Sequence, residues 1–149
     1  MGVRNYESFD AFQLAEAFKS EVFRIVKASP EAMRDLRFRS QLFRAASGPE
    51  KHIAEGFLRR SPRAFVLFLD YALGSVAEAQ RHLVDGIELE YYSYPACERA
   101  FRLGKRCFKA TAGLRKSQIR YAEQQEEEER QRRRKPRPPK PRPDELDGT

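Results

Sequence analysis

Two histidine–carboxylate pairs are the residues whose types and spacing come closest to a metal-binding site. His52 lies three residues before Glu55, and Glu78 lies four residues before His82, so each pair shares one face of a helix. Di-iron helical bundles instead use Glu-x-x-His on two helices and a single glutamate on each of the others. Because the order and spacing differ from that pattern, we predict no metal and no cofactor.

Catalytic signatures are also missing from the sequence. It contains no Gly-x-Ser-x-Gly, no phosphate-binding loop, no dinucleotide fingerprint and no cysteine–histidine signature. The two cysteines, Cys97 and Cys107, are separated on one predicted helix by about 15 Å, which is too far for a disulfide. We interpret Cys107 as a small apolar core residue and Cys97 as an ordinary thiol. The protein is predicted not to be an enzyme.

Arginine and lysine residues carry the stronger functional signal. The net charge is +7, and residues 1–125 hold 21 basic and 15 acidic side chains, a net charge of +6. Such side chains on helix faces neutralise phosphates without reading base sequence, so RNA or DNA is the favoured partner. The alternative is an ordinary solvated polar face. The candidate nucleic-acid-binding residues form three groups: Arg34, Arg37 and Arg39; Arg59, Arg60 and Arg63; and Arg99, Arg102, Lys105, Arg106 and Lys109.

Three tyrosines and a charged tail leave further alternatives open. Tyr91, Tyr92 and Tyr94 either stack on unpaired bases or, as we favour, pack at the end of a bundle or against another subunit. Residues 126–149 contain an acidic run, a basic run and five prolines between Pro136 and Pro143, so we predict a disordered tail. Its charged first part could instead extend the last helix through Glu-to-Arg pairs four residues apart. This tail is either an additional electrostatic arm or a proline-rich ligand for a partner domain.

Four predicted helices position these residues. Apolar residues at spacings of three and four indicate helices over about 8–28, 35–60, 62–90 and 94–125. Ser47-Gly48-Pro49 predicts a kink or a brief break in the second helix, because a proline removes one backbone hydrogen bond. No segment shows sustained alternation typical of strands. Residues 1–125 are therefore predicted to form an all-α, up-down-up-down four-helix bundle.

Glycines and polar residues between the helices indicate how the bundle packs. Gly56 and Gly74 lie in the second and third predicted helices, where each costs about 1 kcal/mol relative to alanine. We interpret them as sites of close helix–helix approach, with a helix end as the alternative for Gly56. Charged and polar residues within or beside the apolar stripes are predicted to form a structural polar network: Arg44, Glu55, Ser75 and Glu78.

Membrane and secretion signals are not evident. No stretch approaches the roughly 20 uninterrupted apolar residues that a membrane helix needs. The first residues lack the basic-then-apolar layout of a secretion signal. We expect a cytoplasmic protein without a membrane partner.

An ordered series of motifs carries a resemblance to a known family. The motifs are Gln41-Leu42-Phe43-Arg44-Ala45-Ala46, Ile53-Ala54-Glu55-Gly56-Phe57 with Arg59, Phe65, Phe68-Leu69, and Ala72-Leu73-Gly74-Ser75 with Glu78. They resemble the bacterial four-helix bundle family, also called the 23S rRNA intervening-sequence protein family. Accessory variability determinants of diversity-generating retroelements are related to it. The resemblance covers about residues 8–120.

Some positions depart from the family pattern. His52 stands where asparagine is usual, Ser47-Gly48-Pro49 replaces Ser-Ile-Pro, and Ala64 replaces a common acid. The proline-rich tail lies outside the pattern. The resemblance implies a four-helix protomer in a homopentameric barrel with a basic surface. In the retroelement branch it also implies binding to a reverse transcriptase and to nucleic acid.

These observations together favour a non-catalytic, homo-oligomeric nucleic-acid-binding protein that uses basic helix faces. A role as an accessory factor of a reverse transcriptase in a diversity-generating retroelement is what the resemblance implies. The alternative is a protein–protein adaptor that docks an acidic partner without nucleic acid.

Overall fold

Four long helices packed together make up most of the computed structural model, which describes residues 5–146 and 148. Within that part the chain is helical and contains no strand, as the sequence predicts. The α-helices are α1 (Asp10–Lys27), α2 (Pro30–Arg34), α3 (Leu36–Leu58), α4 (Pro62–Glu88) and α5 (Tyr94–Arg134), with 3-10 turns at Tyr6–Ser8 and Pro143–Glu145. Helices α1 and α4 each pack against both α3 and α5, so that α3 and α5 stand on opposite corners of the bundle.

Side-chain caps define where several helices begin. The hydroxyl oxygen of Ser29 accepts a hydrogen bond from the Ala32 amide at 3.2 Å and starts the short helix α2. A carboxylate oxygen of Asp35 accepts from the Phe38 amide at 3.1 Å and starts α3. Ser61 and Ser93 cap α4 and α5 in the same way. Each cap satisfies an amide that has no partner within its own helix.

Of the kink or brief break predicted at Ser47-Gly48-Pro49, the break does not form, since α3 is continuous from Leu36 to Leu58. The kink stays a prediction. Pro49 is fully buried among the helices. A Cβ placed on Gly48 would lie 2.7 Å from the Cβ of Ser75, so α3 and α4 are in very close contact at this point. We attribute the continuous helix to this tertiary packing, which offsets the proline cost of about 3 kcal/mol.

Helix α5 continues past its predicted end at Gln125 to Arg134. Arg63 in the first turn of α4 donates two hydrogen bonds to Glu126, at 2.8 and 3.1 Å. Beyond that point the helix carries ion pairs along its own surface, between Arg130 and Glu127 and between Arg133 and Glu129. The charged part of the tail therefore extends the last helix to Arg134, the alternative that the sequence left open, and disorder stays a prediction for the proline-rich part.

The two glycines singled out in the sequence behave differently. A Cβ on Gly56 would lie 2.6 Å from the Cβ of Phe68 and 2.9 Å from a ring carbon of Phe65, which confirms a close approach of α3 and α4. Gly74 does not mark such an approach. It is exposed, and among the described residues no heavy atom other than its own neighbours would come within 4 Å of a Cβ there. Gly74 faces outward, while the next residue, Ser75, faces α3.

Both cysteines belong to the core. Cys107 is fully buried, as the sequence predicts, and Cys97 is fully buried as well, so its interpretation as an ordinary thiol is wrong. Burial raises the pKa of each thiol to about 11. Within the described residues, no helix combines the length and apolar character needed to cross a membrane.

Candidate nucleic-acid interface

The outward face of α5 carries a row of basic side chains. Its members recur at intervals of three and four residues, with Gly113 occupying one position in the series. Because an α-helix has 3.6 residues per turn, they lie along one line, about 31 Å from end to end. All are exposed, and in the described part of the chain none forms an ion pair within 4 Å. We call this set the α5 basic row: Arg99, Arg102, Arg106, Lys109, Lys116 and Arg120.

The opposite side of α5 holds the row in place. That side is buried against α1 and α4 through Cys97, Ala100, Leu103, Cys107 and Thr111, again at spacings of three and four. With one side fixed in the core, the basic side faces solvent. Lys105 is exposed beside the row. The row therefore sits on a rigid element and not on a loop.

One buried acid lies near the beginning of the row. Arg24 donates a hydrogen bond to Glu21 through Nε at 3.1 Å. Hydrogen bonding to Arg24 holds the pKa of Glu21 below its ordinary value despite burial, and the positive charge of Arg99 acts in the same direction. Glu21 is therefore ionised at neutral pH and partly offsets the charge of Arg99. The positive charge at the beginning of the row is therefore partly neutralised.

The first predicted basic group, Arg34, Arg37 and Arg39, lies apart from the row. These residues belong to α2 and to the start of α3, diagonally across the bundle from α5. Arg39 donates a hydrogen bond to the Met33 carbonyl at 3.0 Å. This bond supplies a partner for a carbonyl oxygen in the last turn of α2. Arg34 and Arg37 are exposed. The structure does not bring this group together with the α5 residues.

The second predicted group lies at the opposite end of the bundle, beside the later part of α5. Arg63 forms an ion pair with Glu126, so its charge is largely neutralised within the molecule. The guanidinium carbon of Arg59 lies 5.1 Å from the ring centroid of Phe68, a cation–π contact. Arg60 is exposed and has a positive φ of 54°. Arg59 and Arg60 therefore extend the positive surface at this end.

Two members of the row, Lys116 and Arg120, were not among the sequence candidates. They continue the same spacing, and Gly113 interrupts the charge pattern just before them. Continuing the three- and four-residue spacing past Gly113 would have identified both residues. The neighbouring Arg115 points elsewhere and pairs with Asp70 of α4 at 2.6 Å.

The predicted polar network of Arg44, Glu55, Ser75 and Glu78 does not form. No hydrogen bond or ion pair joins any two of these residues within residues 5–146. Glu55 and Glu78 instead approach histidines of their own helices, with Glu55 3.9 Å from His52 and Glu78 3.5 Å from His82. Each carboxylate is therefore directed along its own helix and not across the α3–α4 contact.

A polar groove of about 650 Å³ lies between α3 and α4, and Arg44, Ser75 and Glu78 line it together with both histidines. Burial lowers the pKa of His52. In the described residues no three His, Cys, Asp or Glu side chains are grouped to hold a metal ion.

The tyrosines near the start of α5 have structural contacts. Tyr91 donates a hydrogen bond to Asp35 at 2.7 Å, and Tyr92 donates to the Leu83 carbonyl at 3.0 Å. These contacts confirm packing at the end of the bundle for both residues. Tyr94 is 58% exposed and stacks on Phe101 with ring centroids 5.7 Å apart.

Comparison with known proteins gives one match. The family model described as 23S rRNA-intervening sequence protein matches residues 7–100, which include α1 to α4 and the first turns of α5. No match is found among the curated proteins. Most of the α5 basic row, from Arg102 to Arg120, lies beyond the matched range. The chain belongs to the 23S rRNA-intervening sequence protein family.

Proposed function

We propose that this chain is a non-catalytic binding protein that holds RNA or DNA by its phosphates on the α5 basic row. The row itself carries the proposal, because its exposed cations lack ion-pair partners among the described residues and stand on a helix buried on its other side. Lysine and arginine at such positions displace the counterions of a nucleic acid, which favours binding. Phosphate contacts alone carry no direct sequence information, so little sequence preference is expected.

The length of the row suits a nucleic-acid backbone. One strand of a duplex advances about 3.4 Å per phosphate along the helix axis. A row of about 31 Å therefore covers roughly nine base pairs of axis length. Not every cation needs to meet a phosphate for the charges to act together.

A homo-oligomer is part of the proposal, and the family resemblance implies a pentamer. The outward face of α4 supports self-association, since Leu67 and Tyr71 are 49% and 47% exposed there. Repetition of the row around an assembly would strengthen binding through avidity. A reverse transcriptase is the protein partner that the retroelement branch of the family implies.

Filter binding of labelled RNA and DNA at low salt tests the proposal. Changing Arg102, Arg106 and Lys109 together to glutamine is expected to lower the affinity at least tenfold, at roughly 0.5 kcal/mol or more per lost phosphate contact. The matched control changes Arg130, Arg132 and Arg133 to glutamine. It removes the same charge from the exposed end of α5 and is expected to have a smaller effect. No retention of RNA or DNA by the wild-type protein, or a larger loss in the control, would contradict the proposal.

The second candidate function is a protein–protein adaptor. The observation that favours it is the proline-rich segment from Pro136 to Pro143, which is exposed beyond the bundle and suits recognition by a partner domain. The basic row would then dock an acidic protein. A pull-down that recovers one protein after nuclease treatment, with no RNA or DNA binding at low salt, would favour this candidate.

A further inference from the structure

An aromatic groove lies at the end of the bundle where the α5 basic row terminates. Its volume is about 660 Å³. It is bounded by the 3-10 turn before α1, the turn between α3 and α4, and the later part of α5. The side chains that matter are Phe9, Phe57, Phe65, Gln118, Tyr121 and Gln125, with Arg60 at the α3–α4 turn.

Three phenylalanines form a fixed apolar wall of the groove. The ring centroid of Phe57 lies 5.7 Å from that of Phe9 and 6.1 Å from that of Phe65, in edge-to-face geometry. Phe9 and Phe65 are 6.0 Å apart. Rings that hold one another in this way lose little freedom when a flat ligand enters. The wall is therefore preformed.

Tyr121 is the aromatic residue available for stacking. Its side chain is 50% exposed, and in the described part of the chain it has neither a ring partner nor a hydrogen bond. Tyr121 follows Arg120, the last member of the basic row, directly in sequence. Because adjacent residues on a helix differ by about 100°, a base on a backbone held by Arg120 must turn from the outward face toward the end of the bundle to reach Tyr121.

The polar side chains that line the groove suit a nucleobase better than they suit a purely apolar ligand. Gln118 and Gln125 each offer an amide donor and a carbonyl acceptor, and neither is engaged by another side chain among the residues described. Arg60 adds a positive charge, and the groove lining contains no carboxylate. Amides beside aromatic rings match the hydrogen-bonding edge and the flat face of a nucleobase.

We propose that this groove binds an unpaired nucleobase of a single strand whose phosphates lie along the α5 basic row. The inference rests on the proposed function, because the row must hold the backbone for a base to reach Tyr121. Every base has an aromatic face, so stacking here would not select among bases. It would distinguish single strands from duplexes, in which the bases are already stacked.

The test compares a labelled single-stranded RNA of about 12 nucleotides with a duplex of the same length, using the full chain. Tyr121→Ala is expected to lower affinity for the single strand roughly 5- to 100-fold, the range for loss of one stacked base. Affinity for the duplex should stay unchanged, and Tyr121→Phe should retain single-strand binding. Tyr94→Ala is the matched control, since it removes an exposed tyrosine from the same helix far from the groove. Circular dichroism melts establish that each variant is folded.

The outcomes separate the two proposals. If wild-type protein binds neither probe, the proposed function fails and this inference fails with it. If wild-type protein binds both and Tyr121→Ala binds the single strand equally well, only the groove inference is overturned, and an apolar protein side chain becomes its better ligand. An equal loss for the duplex, or an equal loss in Tyr94→Ala, would also overturn base binding in the groove.

Discussion

Replacing two helical glycines by alanine should shift stability in opposite directions. At Gly56 the new methyl group would lie 2.6 Å from the Cβ of Phe68, an atom that cannot move without the α4 backbone. Such overpacking costs about 1–3 kcal/mol of unfolding free energy. The higher helix propensity of alanine offsets about 1 kcal/mol of that cost. At Gly74 the methyl group meets no atom within 4 Å, so Gly74→Ala should gain about 1 kcal/mol. The two variants should therefore differ by roughly 2 kcal/mol.

Thermal and urea unfolding followed by circular dichroism would measure this difference. A change of 1 kcal/mol corresponds to roughly 4 °C at this chain length, so the melting temperatures should separate by about 8 °C. Both variants need the same protein concentration, because self-association raises apparent stability. Equal stability of Gly56→Ala and Gly74→Ala would refute the close packing of α3 on α4. Reduced stability in Gly74→Ala would show that the outward surface at Gly74 is covered by another molecule.

Three further predictions follow from burial and pairing. Cys97 and Cys107, each with a pKa of about 11, should not react with a thiol reagent at pH 8 until the protein unfolds; rapid reaction of the native protein would contradict their burial. Burial lowers the pKa of His52, so the unfolded chain binds its proton first as pH falls through 6.5. The unfolding free energy should therefore fall relative to that of His52→Gln below that pH, and the difference between the two proteins should stay constant above it. Parallel stability curves for the two proteins between pH 7 and pH 5 would be inconsistent with that shift. Arg63→Ala should leave the urea unfolding midpoint nearly unchanged, because its pair with Glu126 is half exposed, and a large fall in the midpoint would contradict this.

The long helices were predictable because each has an apolar stripe with the period of an α-helix. The predicted helix starts at 35 and 62 agree with those of α3 and α4 to within one residue. The continuity of α3 through Pro49 was not predictable, because it depends on packing against α4 that no local pattern reveals. The extension of α5 to Arg134 rests on ion pairs along its surface, which are weaker signals than an apolar stripe.

The candidate site was only partly predictable. Spacing identified Arg99, Arg102, Arg106 and Lys109 as one helical face, and the structure places them on one line. Spacing could not show that Arg63 is engaged by Glu126, since those residues are distant in sequence. It could have separated the direction of Gly74 from that of Ser75, because adjacent residues on a helix differ by about 100° and the stripe through Ala72, Val76 and Ala79 fixes the buried side.

Salt dependence of binding tests the central claim most directly. For a labelled duplex, the logarithm of the association constant should fall linearly with the logarithm of salt concentration, with a slope of about −0.9 per phosphate contact. Glutamine at Arg102, Arg106 and Lys109 should reduce the magnitude of that slope by up to about 2.7 if each side chain neutralises one phosphate. An affinity that does not change with salt, or a slope that is the same in the wild-type protein and the triple variant, would contradict phosphate binding by the α5 basic row.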